Sequence, residues 1–124
     1  MVDREHEAAI AAIERTIEAS QALGAQLRSG EAIGRKMIQK LESGVPISGS
    51  VEAAGAVASD LRQNTNYLLA EYEHCRHEMR LAFIGPSLDE GMSIGEIGRT
   101  LGVSRQLAAR LAKEAHCGSP PDTA

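Results

Sequence analysis

Ser93-Ile-Gly-Glu-Ile-Gly-Arg-Thr-Leu-Gly-Val-Ser-Arg-Gln-Leu-Ala-Ala-Arg-Leu111 decides how the chain is read. Ile94, Ile97 and Leu101 stand three and four residues apart, the spacing of one helical face, and a second apolar set, Val103, Ala108 and Leu111, follows Gly102. The stretch therefore reads as two short helices joined by a tight turn. Its joints carry the residue types that such a turn needs. Ser93 and Glu96 form a capping box, in which side chains satisfy backbone N–H groups left open at a helix start. Met92 and Ile97 stand at the two ends of a hydrophobic staple across that cap. Gly98 falls where the two helices approach most closely, and Gly102 where a chain leaves a helix through left-handed backbone angles. Ser104 then caps the second helix. The second helix turns Leu107, Ala108 and Leu111 inward and presents Ser104, Arg105, Gln106, Ala109, Arg110 and Lys113 outward, a row of hydrogen-bonding groups with a cationic bias.

Residues Glu90 to Arg105 resemble a bacterial helix-turn-helix, and are most similar to the DNA-binding ends of resolvase-type recombinases and to sigma-factor region 4. The resemblance covers about residues 90 to 115, roughly a quarter of the chain, and is specific for a module more than for a protein. It implies that Ser104, Arg105, Gln106, Ala109 and Arg110 occupy the base-facing positions of a recognition helix, and that Arg99 and Thr100 lie near phosphates. Lys113 is expected to join them on the DNA backbone. One departure is Gly98, where the family more often carries alanine. The chain shows neither a recombinase catalytic domain nor another sigma-factor region, so the module is attached to something else.

That remainder is helical and almost free of aromatic residues, with two Tyr, one Phe and no Trp among 124 residues. From Ser50 to about Phe83 there is no proline, and Ala54, Leu61, Leu68 and Cys75 repeat every seven residues, accompanied by Ala58, Thr65, Tyr72 and Met79. A helix uses such a seam to pack along another helix. Tyr67, Leu69 and Phe83 lie off the seam, which predicts a second apolar contact with either another subunit or the C-terminal module. Asp3 to about Leu41 also reads as helix, with Ile10, Ile13 and Ile17 on one stripe, then Leu23 and Leu27, then Ile33, Met37, Ile38 and Leu41. Gly24, Gly30 and Gly34 each cost about 1 kcal/mol in a helix interior, so the segment is either one helix or two with a break near Gly30. Acidic residues at its start suit the helix dipole.

Ser43 to Ser50 reads as a loop, and Ile84 to Met92 as a second break in which Pro86 stops the long helix or opens a short new turn. The expected architecture is all-α: an antiparallel, coiled-coil-like helical hairpin over residues 1–84, a helix-turn-helix head over 85–117, and a tail without periodicity over 118–124, expected to be disordered. The last turns of the long helix, from Arg76 to Phe83, are placed to support the head as its third helix.

Two long helices enclose little core alone, so a homodimer through residues 1–84 is expected, forming a four-helix bundle with two heads. The net charge is −4, yet from Met92 to His116 four cations, Arg99, Arg105, Arg110 and Lys113, face two acids, Glu96 and Glu114. Phosphate binding needs such a local excess and not a basic whole, and Arg76, His77 and Arg80 extend it if the long helix ends beside the head. A head this lightly charged needs the avidity of a pair. His74, Cys75, His77, His116 and Cys117 are metal-ligand types, but only His74 and His77 have helical spacing and Cys75 falls on the apolar seam, so no metal is expected. The polar run Gln63 to Asn66 reads as a solvated helix face more readily than as a ligand pocket.

Two cysteines without CxxC spacing, and no signal-like or membrane-length apolar run, lead to the expectation of a reducing, cytoplasmic setting and no membrane. No phosphate loop and no nucleophile–base set is present, so neither catalysis nor a cofactor is expected. The expected function is sequence-specific binding of double-stranded DNA by a bacterial-type transcription regulator. The alternative is a helical adaptor that binds another protein and not DNA.

Overall fold

The computed structural model describes residues 3–117, apart from the side chains of Ala56 and Cys117. These residues form four α-helices and no strand: α1 (Arg4–Glu42), α2 (Ile47–Asp89), α3 (Ile94–Leu101) and α4 (Arg105–Cys117). The tail expected over residues 118–124 lies outside the described residues. No described helix is long and apolar enough to cross a membrane. The chain divides into two compact units, Met1–Thr16 with His74–Ala124, and Ile17–Glu73.

The first 39-residue segment is a single helix, without a break at Gly30. Asp3 caps its start by accepting the His6 backbone N–H at 2.9 Å, and the same carboxylate oxygen lies 2.7 Å from the His6 ring. This pairing holds the Asp3 carboxyl below its ordinary range and raises the His6 imidazole. Two expected loops are shorter than the sequence indicates. The first turn of α2 already begins at Ile47, where Pro46 supplies the carbonyl that accepts the Ser50 N–H at 3.0 Å. The helix also runs through Pro86 to Asp89 instead of stopping there. An interior proline costs about 3 kcal/mol through a lost hydrogen bond and a ring clash. Burial of Ile84 just before it, worth about 1.5–3 kcal/mol for a fully buried side chain, and the partial burial of Leu88 just after it offset that cost. The helix ends at Asp89, and two residues on Gly91 at φ 102° donates to the Leu88 carbonyl and Met92 to that of Ser87.

Within the unit Ile17–Glu73, Gln26 of α1 ties the two helices together. Its Nε2 donates to the Leu61 carbonyl and to Thr65 Oγ1, both at 3.3 Å, while Asn64 Nδ2 donates to Gln26 Oε1 at 2.7 Å. The polar run Gln63 to Asn66 thus contributes an interhelical network and is not merely solvated. The residues of α1 drawn out of solvent here include Ala19, Leu23, Gln26, Gly30, Ile33 and Met37, spaced alternately by three and four. Half of that row is small or polar, and Gly30 lets the Leu61 side chain come within 3.6 Å of where a Cβ would stand. The larger residues Ile17, Leu27, Ile38 and Leu41 point to solvent. Apolar size alone therefore does not separate the faces of α1: Leu23, Ile33 and Met37 turn inward, while small and polar residues fill the rest of the inner row.

Within the other unit, the end of α2 joins α3 and α4 around a core of Ile84, Ile97, Leu111 and Ala112. Leu81, Leu88, Met92, Ile94, Leu101, Leu107 and Ala115 pack against it. A Cβ added at Gly85 of α2 would stand 3.9 Å from Ala115 Cβ of α4, and His77 Nε2 lies 2.6 Å from Glu114 Oε2. Thr16 Oγ1 bonds the carbonyls of Ala12 and Cys75 at 2.8 and 3.2 Å.

Candidate nucleic-acid interface

The geometry of the surface follows from how α4 is aimed, and α4 is aimed by its joint with α3. Ser93 adopts extended angles, φ −83° and ψ 158°, and its hydroxyl accepts the Glu96 N–H at 3.1 Å, while Glu96 Oε1 accepts the Ser93 N–H at 2.9 Å. Both halves of the capping box are closed. Met92, before the cap, packs against the cluster that contains Ile97. At the other end Gly102 turns to φ 72°, donating to the Arg99 carbonyl at 3.3 Å, and Val103 donates to that of Gly98 at 2.9 Å. A side chain at Gly102 is strained by this left-handed conformation. Ser104 then starts α4: its Oγ accepts the Leu107 N–H at 3.1 Å and its carbonyl the Ala108 N–H at 2.9 Å.

Gly98 is buried at the crossing. A Cβ there would stand 3.2 Å from the Val103 carbonyl oxygen and 3.5 Å from Ala108 Cβ. The absence of a side chain lets α3, the turn and the first turn of α4 touch backbone to backbone.

With the joint fixed this way, α4 buries Ala108, Leu111 and Ala112 and half-buries Leu107. Ala112, next to the predicted inward residues, carries no signal in sequence because alanine suits either face. Ser104, Arg105, Gln106, Ala109, Arg110 and Lys113 are all exposed, as are Arg99 and Thr100 on the last turn of α3. The five positions expected to face bases lie together along one side of α4 and its cap. The two on α3 diverge: the Arg99 guanidinium folds back to 3.6 Å from the Cβ position of Gly95, whereas Thr100 rims a cavity of about 100 Å³ beside Phe83, Ile84, Met92 and Leu101. Both acids between Met92 and His116 are engaged. Glu96 closes the cap and Glu114 is drawn to His77 on the side of α2.

Cys75 is buried and outside any disulfide, and His74 is exposed. Among the described residues no three His, Cys, Asp or Glu side chains are grouped to hold a metal ion. No protein-family model matches the chain, and no curated protein or solved structure is significantly similar to it.

The cap has a measurable acid signature. Hydrogen bonding from the Ser93 N–H, then from its side chain, holds the Glu96 carboxyl below its ordinary range. A carboxyl depressed by folding contributes stability that is present above its unfolded pKa and is lost as pH falls through the folded value. Glu96→Gln is therefore expected to shallow the loss of head stability on going from neutral pH to about pH 3, as followed by chemical denaturation at each pH. An unchanged acid slope contradicts the closed box. Ser93→Ala is expected to cost about 1 kcal/mol at neutral pH.

Proposed function

We propose that this protein binds double-stranded DNA in a sequence-specific manner as a dimeric regulator of transcription of bacterial type, with residues 85–117 as a helix-turn-helix head on an antiparallel helical hairpin. One observation carries the reading: a capped helix, α4, held rigidly against α3, keeps a polar and cationic face, Ser104 to Lys113, clear of the protein core. A recognition helix needs those properties to enter a major groove. Arg105 and Gln106 read bases, because arginine pairs bidentately with guanine and glutamine with adenine. Ser104, Ala109 and Arg110 line the same groove, while Arg99, Thr100 and Lys113 hold phosphates.

This division of roles predicts two different phenotypes. Arg105→Ala should cost about 1–3 kcal/mol on the preferred site and flatten the preference at one base pair. Arg99→Ala should weaken all duplexes alike and, in a dimer with two copies, reduce the log-log salt slope by about 2. Indistinguishable variants refute the assignment. Selection of bound fragments from random duplex DNA, followed by titration with rising salt, tests the function itself: the expected winner is a palindrome bound with a steep salt dependence.

A second reading, a helical adaptor for another protein, is favoured by the apolar exposure in the unit Ile17–Glu73, where Ile47 is 74% and Tyr67 65% exposed. Absence of duplex binding at low salt would select it.

A further inference from the structure

We propose that the second copy of this chain docks antiparallel on α1, through a stripe running along that helix from Ile17 to Leu41. The inference rests on the self-association in the proposed function and adds its surface, direction and register. Between Ile17 and Leu41 the large exposed apolar residues of α1 are Ile17, Leu27, Ile38 and Leu41. With Ser20, Gly24, Glu31 and Gly34 they form one unbroken row spaced alternately by three and four, the spacing of a helix-packing seam. This row is distinct from the one that contains Gln26 and Gly30, which are already engaged with α2.

The row is complementary to itself in reverse and not in parallel. Aligned antiparallel, Ile17 meets Gly34 of the second copy, Ser20 meets Glu31, and Leu27 meets Gly24. Ile17 and Leu27 then each enter a glycine gap, and the hydroxyl of Ser20 donates to the Glu31 carboxylate, whose Oε1 also accepts from Arg35 of its own chain at 2.7 Å. The gaps exist: nothing lies within 4 Å of a Cβ position at Gly34, and at Gly24 only the end of the Arg28 side chain does, at 3.5 Å. A parallel pairing instead sets glycine against glycine and leaves voids at Gly24 and Gly34, while each Glu31, paired with Arg35 of its own chain at 2.7 Å, faces its twin and gains no partner from the second copy. It also leaves unexplained why two glycines, each unfavourable in a helix interior, occupy this row.

The test uses the full chain with Cys75 and Cys117 replaced by serine. Equal amounts of Ser20→Cys and Glu31→Cys chains, distinguished by mass, are mixed and oxidised. The antiparallel register predicts a mixed disulfide several-fold in excess of either self-disulfide, and none above background for Ala22→Cys, which lies on the opposite side of α1. An excess of Ser20 self-disulfide overturns the proposal in favour of parallel pairing, and equal yields at all positions overturn it as random collision. A second measurement is independent of cysteine. The unsubstituted chain should sediment as a dimer, and Gly34→Leu should raise the dimer dissociation constant at least about tenfold while its circular dichroism keeps or gains helix, since leucine is the better helix former. Association unchanged by Gly34→Leu overturns the proposed gap. DNA binding is read separately by the salt titration, so a chain that binds duplex DNA as a monomer or parallel dimer defeats this inference and leaves the head's assignment intact.

Discussion

Gly98→Leu should disable the head outright, with a loss of stability of about 3 kcal/mol or more and of DNA binding with it. The first added carbon already meets the Val103 carbonyl oxygen at 3.2 Å and Ala108 Cβ at 3.5 Å. The remaining three have no room unless α3 lifts from the turn. Lifting it breaks the bond from the Val103 N–H to the Gly98 carbonyl, and with it the geometry that starts α4. The neighbouring contact is backbone and cannot rotate away as a flexible side chain would. Gly98→Ala separates crowding from helix propensity. Alanine recovers about 1 kcal/mol as a helix former and gives back a comparable amount through the tight contact, so its net change should stay within about 1 kcal/mol. Urea denaturation followed by circular dichroism measures both variants. Tolerance of leucine within about 1 kcal/mol would mean that α3 and α4 do not cross as described.

The joint of the head was legible in sequence because its signals are local. Ser93, Glu96, Gly102 and Ser104 satisfy or redirect backbone groups within four residues of themselves, so residue type and spacing suffice. The same is true of the seam Ala54, Leu61, Leu68 and Cys75, which falls among the less exposed residues of α2. What escaped was everything decided between segments. The inner row of α1 mixes Leu23, Ile33 and Met37, which the apolar pattern does mark, with Ala19, Gln26 and Gly30, whose side chains give hydropathy no contrast, and the role of Gln26 and Gly30 appears only once Leu61 and Thr65 stand opposite. Pro86 is a strong stop signal in isolation, and burial around it overrides that signal. The outward face of α4 lies between these cases: amphipathic periodicity places Arg105 and Arg110 outside, yet nothing in periodicity says which molecule lies against them.

Ile84→Ala carries the second large effect, because this residue is how α2 enters the core of the head. Its side chain is 1% exposed and packs with Ile97 of α3 and Leu111 and Ala112 of α4. Truncating a buried isoleucine costs about 2–5 kcal/mol, with the upper part of the range reached where the surroundings cannot collapse. Two features resist collapse here. A cavity of about 100 Å³ already lies beside Ile84, so the lost volume would merge with it. The turn on either side of α3 is also held by its caps, which keeps Ile97 from moving into the gap. A loss of about 4 kcal/mol is therefore expected. Phe83→Ala is the control, one residue away on the same helix but 41% exposed, and should cost less than half as much. Thermal and urea melts rank the two. If the ranking reverses, Phe83 and not Ile84 anchors the head, and α2 meets α3 and α4 through a different face. With the expected ranking, Ile84→Ala should weaken DNA binding mainly on warming, as the unfolded fraction grows, whereas Arg105→Ala should weaken it at every temperature at which the head stays folded.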